Sequence, residues 1–138
     1  CEDRERFDTP AELDRPDVRV IVNPGGTNER YVREHVHQAQ IVMHPDNRGV
    51  FAEIAAGRAD VMVTDDVEAE LQARRRPGRL CRTYPGTLTR GEKRILMARD
   101  PTLQRVVDEW LAAAIAAGGP AREIERAMQA YVRDNQVP

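Results

Sequence analysis

The sequence predicts an α/β fold built on a mostly parallel β-sheet. Short β-branched segments alternate with helical segments in the order β-α-β-α-β-α over roughly the first half of the chain, and short connections join them. The 138 residues are 41% hydrophobic and 32% charged, a composition typical of a folded globular domain. These two observations together favour a sheet with helices on its faces.

The first half supplies three strands and the helices that follow them. Thr9 and Glu12 form a capping box with Pro10 at the first helical position, which predicts a short helix there. The predicted strands are 18–22, 41–43 and 61–63, and the first and third of them are predicted to be buried. The predicted helices run from Thr27 or Asn28 to about Gln38, from Val50 to Gly57, and from Asp65 or Asp66 to before Pro77.

The second half changes character after Tyr84. Residues 85–91 are rich in Pro, Gly and Thr and predict a loop, and residues 94–98 predict a further strand. Two amphipathic helices follow, one capped by Asp100 and one opened by Pro120. Their apolar stripes favour core packing. We divide the chain into segments 1–86 and 87–138.

Charge and missing motifs exclude several classes of function. Lys and Arg number 21 against 23 Asp and Glu, so no basic excess indicates a nucleic-acid partner. No apolar run approaches the roughly 20 residues of a membrane span. Serine is absent, and neither GxxxxGK[ST] nor GxGxxG occurs. His35 and His37 lie two apart on one predicted helix and make a poor metal pair. We therefore predict no metal and no cofactor.

The two cysteines, Cys1 and Cys81, lie far from any CxxC spacing. Their positions leave three alternatives open. Cys81 is compatible with a buried free thiol, Cys1 is compatible with a lipidated N-terminus, and the two are compatible with a disulfide in an exported protein.

The clearest candidate binding segment is the loop 23–29 (NPGGTNE), between a strand and a helix. In open α/β sheets, ligands bind beyond the carboxyl ends of the strands. Gly25 and Gly26 allow close backbone approach, Thr27 adds a hydroxyl, and free N–H groups at a helix start favour an anion. A carboxylate is the natural ligand. A tight turn with a helix cap explains the same residues equally well.

Two further positions carry acidic residues, and each position allows two interpretations. Asp65 and Asp66 follow a predicted strand, where an acid is either a helix cap or an anchor for a ligand ammonium or hydroxyl group. Glu92 and Lys93 precede the last predicted strand. They are typical of a solvated rim, but a Glu near a cleft with a raised pKa serves as a general acid.

Several of these segments resemble the periplasmic cyclohexadienyl dehydratase family. They are residues 22–29, 44–47 (HPDN), 59–65 (ADVMVTD), 79–81 and 91–93. That family is built on the type II periplasmic-binding-protein fold, in which two α/β lobes enclose a ligand cleft. The resemblance implies that 1–86 is one ligand-binding lobe. It also implies that 87–138 supplies the return strand and C-terminal helices of the other lobe.

The resemblance implies a C–O lyase that converts prephenate to phenylpyruvate, or L-arogenate to phenylalanine, with loss of carbon dioxide and water. Glu92 matches the general acid, and Cys1 and Cys81 match paired cysteines, which favours a disulfide and a periplasmic or secreted location. The implied substrate-binding residues are Asn23, Gly25, Gly26, Thr27, Asn28, Asp65 and Lys93.

The family's chains are considerably longer, so we expect this chain to lack the N-terminal half of one lobe. We expect that missing segment to be its partner, together with a small carboxylate substrate. Alone, the chain should turn over weakly or not at all and expose apolar stripes around Trp110 and Tyr131 that invite self-association. Two alternatives remain: an amino-acid-binding protein of a transporter without catalysis, and a ligand-sensing domain of a transcription regulator.

Overall fold

The computed structural model describes residues 1–135, which form two compact units, 1–88 and 89–135. The first unit opens with two short 3-10 helices, Arg4–Phe7 and Pro10–Leu13. Its remaining elements are β1 (Arg19–Val22), α1 (Thr27–His35), β2 (Gln40–Met43), α2 (Val50–Ala55) and α3 (Asp66–Arg75). The second unit holds α4 (Pro101–Ala116) and α5 (Gly119–Asp134). Residues 136–138 of the predicted second segment lie outside the described residues.

The sheet is parallel, as the element order predicts. β1 pairs with β2 with Arg19 opposite Gln40 and Val22 opposite Met43. The third predicted strand, 61–63, is wrong as a strand, because only a parallel bridge between Val20 and Val61 forms there. The Ile21 N–H donates to the Val61 carbonyl at 2.9 Å, so this segment still runs beside β1.

The core lies on both faces of β1, which explains its unbroken apolar run. Val20 and Val22 pack on one face with Val32 of α1. Ile21 packs on the other face with Val50, the first residue of α2. Each of these side chains is at most 1% exposed. Because successive strand residues point to opposite faces, both helices are held against the same short strand.

Asp14 ends α1 earlier than predicted. One carboxylate oxygen of Asp14 accepts hydrogen bonds from the N–H groups of His37, Gln38 and Ala39, at 2.7, 2.5 and 3.0 Å. These bonds hold the pKa of Asp14 below its ordinary value, with the Gln38 N–H as the largest cause. Because the N–H groups have partners outside a helix, α1 stops at His35 and the chain turns into β2.

A second carboxylate, Asp60, joins the bridge segment to β1. It accepts from the backbone N–H of Arg19 at 2.7 Å and from the Arg19 guanidinium at 3.1 and 2.7 Å. The guanidinium hydrogen bonds hold the pKa of Asp60 below its ordinary value. The Asp60 side chain is only 18% exposed, so this bidentate pair is shielded from water better than most ion pairs of the chain.

The second unit consists of a segment without regular structure, 89–99, followed by the helix pair α4 and α5. Asp100 caps α4 by accepting from the N–H groups of Thr102 and Leu103 at 2.9 and 3.1 Å. Gly118, at φ +66°, provides the left-handed turn into α5. No helix within residues 1–135 has both the length and the apolar character needed to cross a membrane.

The strand predicted over 94–98 is wrong. The segment has no regular structure, and Leu96 is 98% exposed. A strand is stable only when neighbouring strands satisfy its N–H and C=O groups, and no described segment pairs with this one. The exposed apolar stripes expected on the helices are confirmed, because Trp110 is 64% exposed and Tyr131 46% exposed, and the core packing that their pattern favours is not observed within residues 1–135.

Candidate functional site at the carboxyl edge of the sheet

Three polar segments of the first unit meet at one edge of its sheet. Asn23 follows β1, His44 follows β2, and Thr64 lies three residues beyond the Val20–Val61 bridge. The register places Val22 opposite Met43, and His44 continues the ladder by donating its N–H to the Val22 carbonyl at 2.9 Å. Because all three segments run in parallel, their carboxyl ends lie at the same edge, where open α/β sheets bind ligands.

The loop after β1 presents backbone donors at this edge. Gly25 has φ +88°, a left-handed backbone conformation that favours glycine, and the space around it is open. Gly26 occupies the N-cap of α1 without any side-chain cap. Within residues 1–135 the N–H groups of Gly26, Thr27 and Asn28 have no hydrogen-bond acceptor. A helix start with open N–H donors and an exposed threonine hydroxyl suits an anionic group.

The amides beside this loop add polar contacts. Asn23 and Asn28 are both half-buried, and neither side chain has a hydrogen-bond partner among the described residues. They flank the two glycines on the strand side and on the helix side. The loop therefore combines backbone donors with two side-chain amides that are available to a ligand.

Asp65 occupies the N-cap position of α3 but does not cap it. Its side chain accepts no hydrogen bond from the first turn of the helix, and the residue is exposed. The simplest alternative for Asp65, a helix cap alone, therefore lacks the contact that defines it. An exposed carboxylate at this edge is compatible with an anchor for a ligand ammonium group.

Glu68 is a carboxylate that sequence analysis did not single out. It lies in the first turn of α3, is half-buried, and accepts a hydrogen bond from the Thr64 hydroxyl at 2.5 Å. The available signal was its spacing, four residues after Thr64, where a strand end passes into a helix. The same pattern predicts a helix start from Asp65, which accounts for Glu68 as a residue of the first turn and does not single it out.

Glu92 and Lys93 belong to the second unit, in the segment without regular structure. The Glu92 side chain is 79% exposed and forms an ion pair with Arg94 at 2.7 Å. The candidate residues 23–28 and Asp65 are thus in one unit, and the candidate acid and its neighbouring lysine are in the other.

The expected disulfide is not formed. Cys1 is an exposed free thiol and Cys81 a half-buried one. The fold nevertheless brings the N-terminus towards the segment before Cys81, because the Cys1 ammonium group donates to the Arg79 carbonyl at 3.3 Å. The spacing of two cysteines in a sequence does not fix the distance between their sulfur atoms. A disulfide forms only where that distance is short enough for an S–S bond. No group of metal-ligating side chains forms a candidate metal site within residues 1–135.

The chain is similar to known proteins over most of its length. A protein of Pseudomonas aeruginosa named cyclohexadienyl dehydratase is 45% identical over 112 residues, which cover 80% of this chain and 41% of that protein. No family model matches the chain. The chain thus spans less than half the length of this curated relative.

Solved structures support the same relationship and show the fold. An ancestral cyclohexadienyl dehydratase is 38% identical with a TM-score of 0.60, covering 93% of this chain and 54% of that chain. An ancestral amino acid-binding protein, described as a precursor of cyclohexadienyl dehydratase, is 25% identical with a TM-score of 0.61, covering 91% and 52%. An ancestral cationic amino acid solute-binding protein is 26% identical with a TM-score of 0.67, covering 91% and 53%.

These similarities confirm the predicted α/β fold of the type II periplasmic binding proteins. They also confirm the resemblance on which the functional prediction rests. The chain is similar to the cyclohexadienyl dehydratases over most of its own length.

Proposed function

We propose that this chain takes part in the decarboxylating dehydration of prephenate to phenylpyruvate, of L-arogenate to phenylalanine, or of both. The observation that carries the proposal is the 45% identity to the Pseudomonas aeruginosa cyclohexadienyl dehydratase. The loop 23–29 supports it, because this segment resembles that family and offers open N–H donors to a carboxylate. We also propose that the chain contributes one part of the active site and works in the periplasm or outside the cell, which its similarity to solute-binding proteins supports.

The reaction needs a carboxylate binding site and a proton donor. The ring carboxylate leaves as carbon dioxide, and its bonding electrons make the ring aromatic while the ring hydroxyl departs. A carboxylic acid donates its proton to that hydroxyl, which leaves as water, and the resulting carboxylate later regains a proton from solvent. The side-chain carboxylate of the substrate stays intact and is the group that the loop would hold.

We propose residues for these roles as follows. Gly25, Gly26, Thr27 and Asn28 form the carboxylate cradle, and Asn23 adds an amide contact. Asp65 anchors the amino group of L-arogenate, since an exposed carboxylate at this edge complements an ammonium. Glu92 is the general acid, and Lys93 beside it adds positive charge for an anionic substrate.

Glu68 is the second candidate for the acid. It is half-buried at the same sheet edge as the cradle, whereas the Glu92 side chain is 79% exposed and paired with Arg94. Substitution of each glutamate distinguishes the two candidates.

The test is formation of phenylpyruvate from prephenate near neutral pH by the protein in its full-length context. Glu92→Gln and Glu68→Gln are compared with Glu123→Gln, an exposed acid of α5 that pairs with Arg126 as Glu92 pairs with Arg94. Removal of the general acid should lower kcat by about 10²–10⁴-fold. The control should leave kcat unchanged. Equal rates in all three variants would refute a glutamic acid as proton donor at either position.

A second candidate function is amino-acid binding without catalysis. The specific observation in its favour is the similarity to two ancestral amino acid-binding proteins with TM-scores of 0.61 and 0.67. In that case prephenate would persist in the assay while a cationic amino acid raises the melting temperature. The higher identity of the dehydratase relatives favours the lyase.

A further inference from the structure

Glu29 reaches back from the first turn of α1 to the glycine loop that precedes it. One carboxylate oxygen accepts a hydrogen bond from the Gly25 N–H at 2.6 Å. The other accepts from the Arg33 guanidinium, one helical turn further on, at 2.8 Å. The Glu29 side chain is only 16% exposed although it lies on a surface helix. The Gly25 N–H and then Arg33 hold the pKa of the Glu29 carboxyl below its ordinary value, so it is charged at neutral pH.

This contact determines which N–H groups of the loop remain available. Gly25 is in the left-handed region at φ +88°, and its N–H is occupied by Glu29. The next donors, on Gly26 and Thr27, have no acceptor within the described residues. A ligand carboxylate therefore meets the donors on Gly26, Thr27 and Asn28, and Gly25 gives the cradle its left-handed turn and not its N–H. A turn held from within loses less freedom when the ligand binds, which favours binding.

The charge of Glu29 would repel a ligand carboxylate if it were not compensated. Arg33 supplies the compensation through the ion pair of its Nε with Glu29. Its Nη2 donates to the Met43 sulfur, 3.5 Å away at the end of β2. The guanidinium thus joins the loop to the neighbouring strand.

We infer that Glu29, with Arg33 as its counter-ion, is the positioning residue of the carboxylate cradle. This inference rests on the cradle assigned in the proposed function, and it adds a residue that does not itself touch the substrate. Glu29 acts through the Gly25 N–H, which it binds so that the Gly26 and Thr27 donors face the ligand.

Amide NMR spectra test the first half of the inference. In the parent protein, the Gly25 amide proton should shift on acidification as the Glu29 carboxyl becomes protonated. In Glu29→Gln that titration should disappear. A Gly25 amide that responds to pH in the same way in both proteins would overturn the inference, and this readout needs neither substrate nor turnover.

Ligand titration tests the second half, with prephenate and L-phenylalanine as the two probes. In the parent protein, the Gly26 and Thr27 amides should shift on binding more than the Gly25 amide. Glu29→Ala should weaken binding of each bound probe roughly tenfold, as expected for loss of one charge-assisted contact, and Glu29→Gln should weaken it less because it keeps an acceptor. Arg33→Gln should also weaken binding.

Glu53→Gln is the matched control. Glu53 pairs with Arg58 at 2.6 Å with its side chain 25% exposed, and it lies on α2, a helix that contributes no residue to the loop 23–29. Unchanged affinity in both Glu29 variants, or a parent protein whose Gly26 and Thr27 amides ignore both probes, would contradict the inference. Binding that depends on Glu29 without any phenylpyruvate formation would refute the dehydratase and leave the positioning role standing.

Discussion

The two units of the chain use their apolar residues in opposite ways. In the first unit, Val20, Ile21 and Val22 are at most 1% exposed between α1 and α2. In the second unit, Trp110 and Ile115 of α4 are 64% and 60% exposed. Both regions have regular apolar patterns in the sequence. An apolar pattern in the sequence therefore identifies a face that needs a partner, and the partner has to be established separately.

The largest effect should follow substitution of the central strand. Ile21→Ala leaves a cavity between β1 and α2 and should lower the free energy of unfolding by about 2–5 kcal/mol. Urea unfolding measures the loss. Leu96→Ala, in the 98% exposed position of the second unit, serves as the contrast and should change stability by less than about 0.5 kcal/mol. Equal losses would contradict the assignment of the core to the first unit.

The exposed apolar stripe of the second unit should cause the 138-residue chain to self-associate. Trp110→Lys removes its largest exposed apolar side chain and should weaken association roughly tenfold to a hundredfold, because burial of such a side chain contributes about 1.5–3 kcal/mol. Sedimentation over a concentration series measures it. A parent chain that stays monomeric at all concentrations shows that the stripe is no association surface.

The Asp60–Arg19 pair gives the first unit a pH dependence. Asp60 has a lowered pKa in the folded chain, so its contribution is fully present above the unfolded-state pKa and is lost as pH falls through the folded value. Asp60→Asn should cost about 1–3 kcal/mol at neutral pH and flatten the acid limb of the stability curve. Urea unfolding from neutral to acid pH checks both. An acid limb identical in parent and variant would contradict the pairing.

The smallest effect concerns the cap of α4. Asp100→Ala removes the acceptor for the Thr102 and Leu103 N–H groups and should cost about 1 kcal/mol of helix stability. The loss should appear as faster hydrogen exchange in the first turns of α4, with no change in β1. Faster exchange in β1 as well would mean that the two units do not respond independently.

Much of the fold could be predicted because local signals and packing agree in the first unit. The Thr9–Glu12 capping residues, the β-branched run of β1 and the Asp100–Pro101 helix start all produce the predicted kind of element. The strand predictions for 61–63 and 94–98 are wrong for a physical reason. Strand propensity is local, but a strand exists only where partners satisfy its backbone, and the second of these segments has none among the described residues.

The candidate site was predictable only in part. The glycine loop and Asp65 are visible from their positions after strands. The Glu29–Gly25 contact and the Thr64–Glu68 contact were not, because each depends on the direction of a side chain at the start of a helix. The expected pairing of Cys1 with Cys81 came from family resemblance, which transfers residue types more readily than interatomic distances.

One initial rate tests our proposal that this chain forms part of a dehydratase. The protein in its full-length context is mixed with prephenate near neutral pH, and phenylpyruvate is measured against an enzyme-free sample. Phenylpyruvate should form far faster than in the enzyme-free sample, and its rate of formation should saturate with prephenate concentration. A rate equal to the spontaneous one, from a folded protein that still binds an amino acid, would contradict the proposed dehydratase activity.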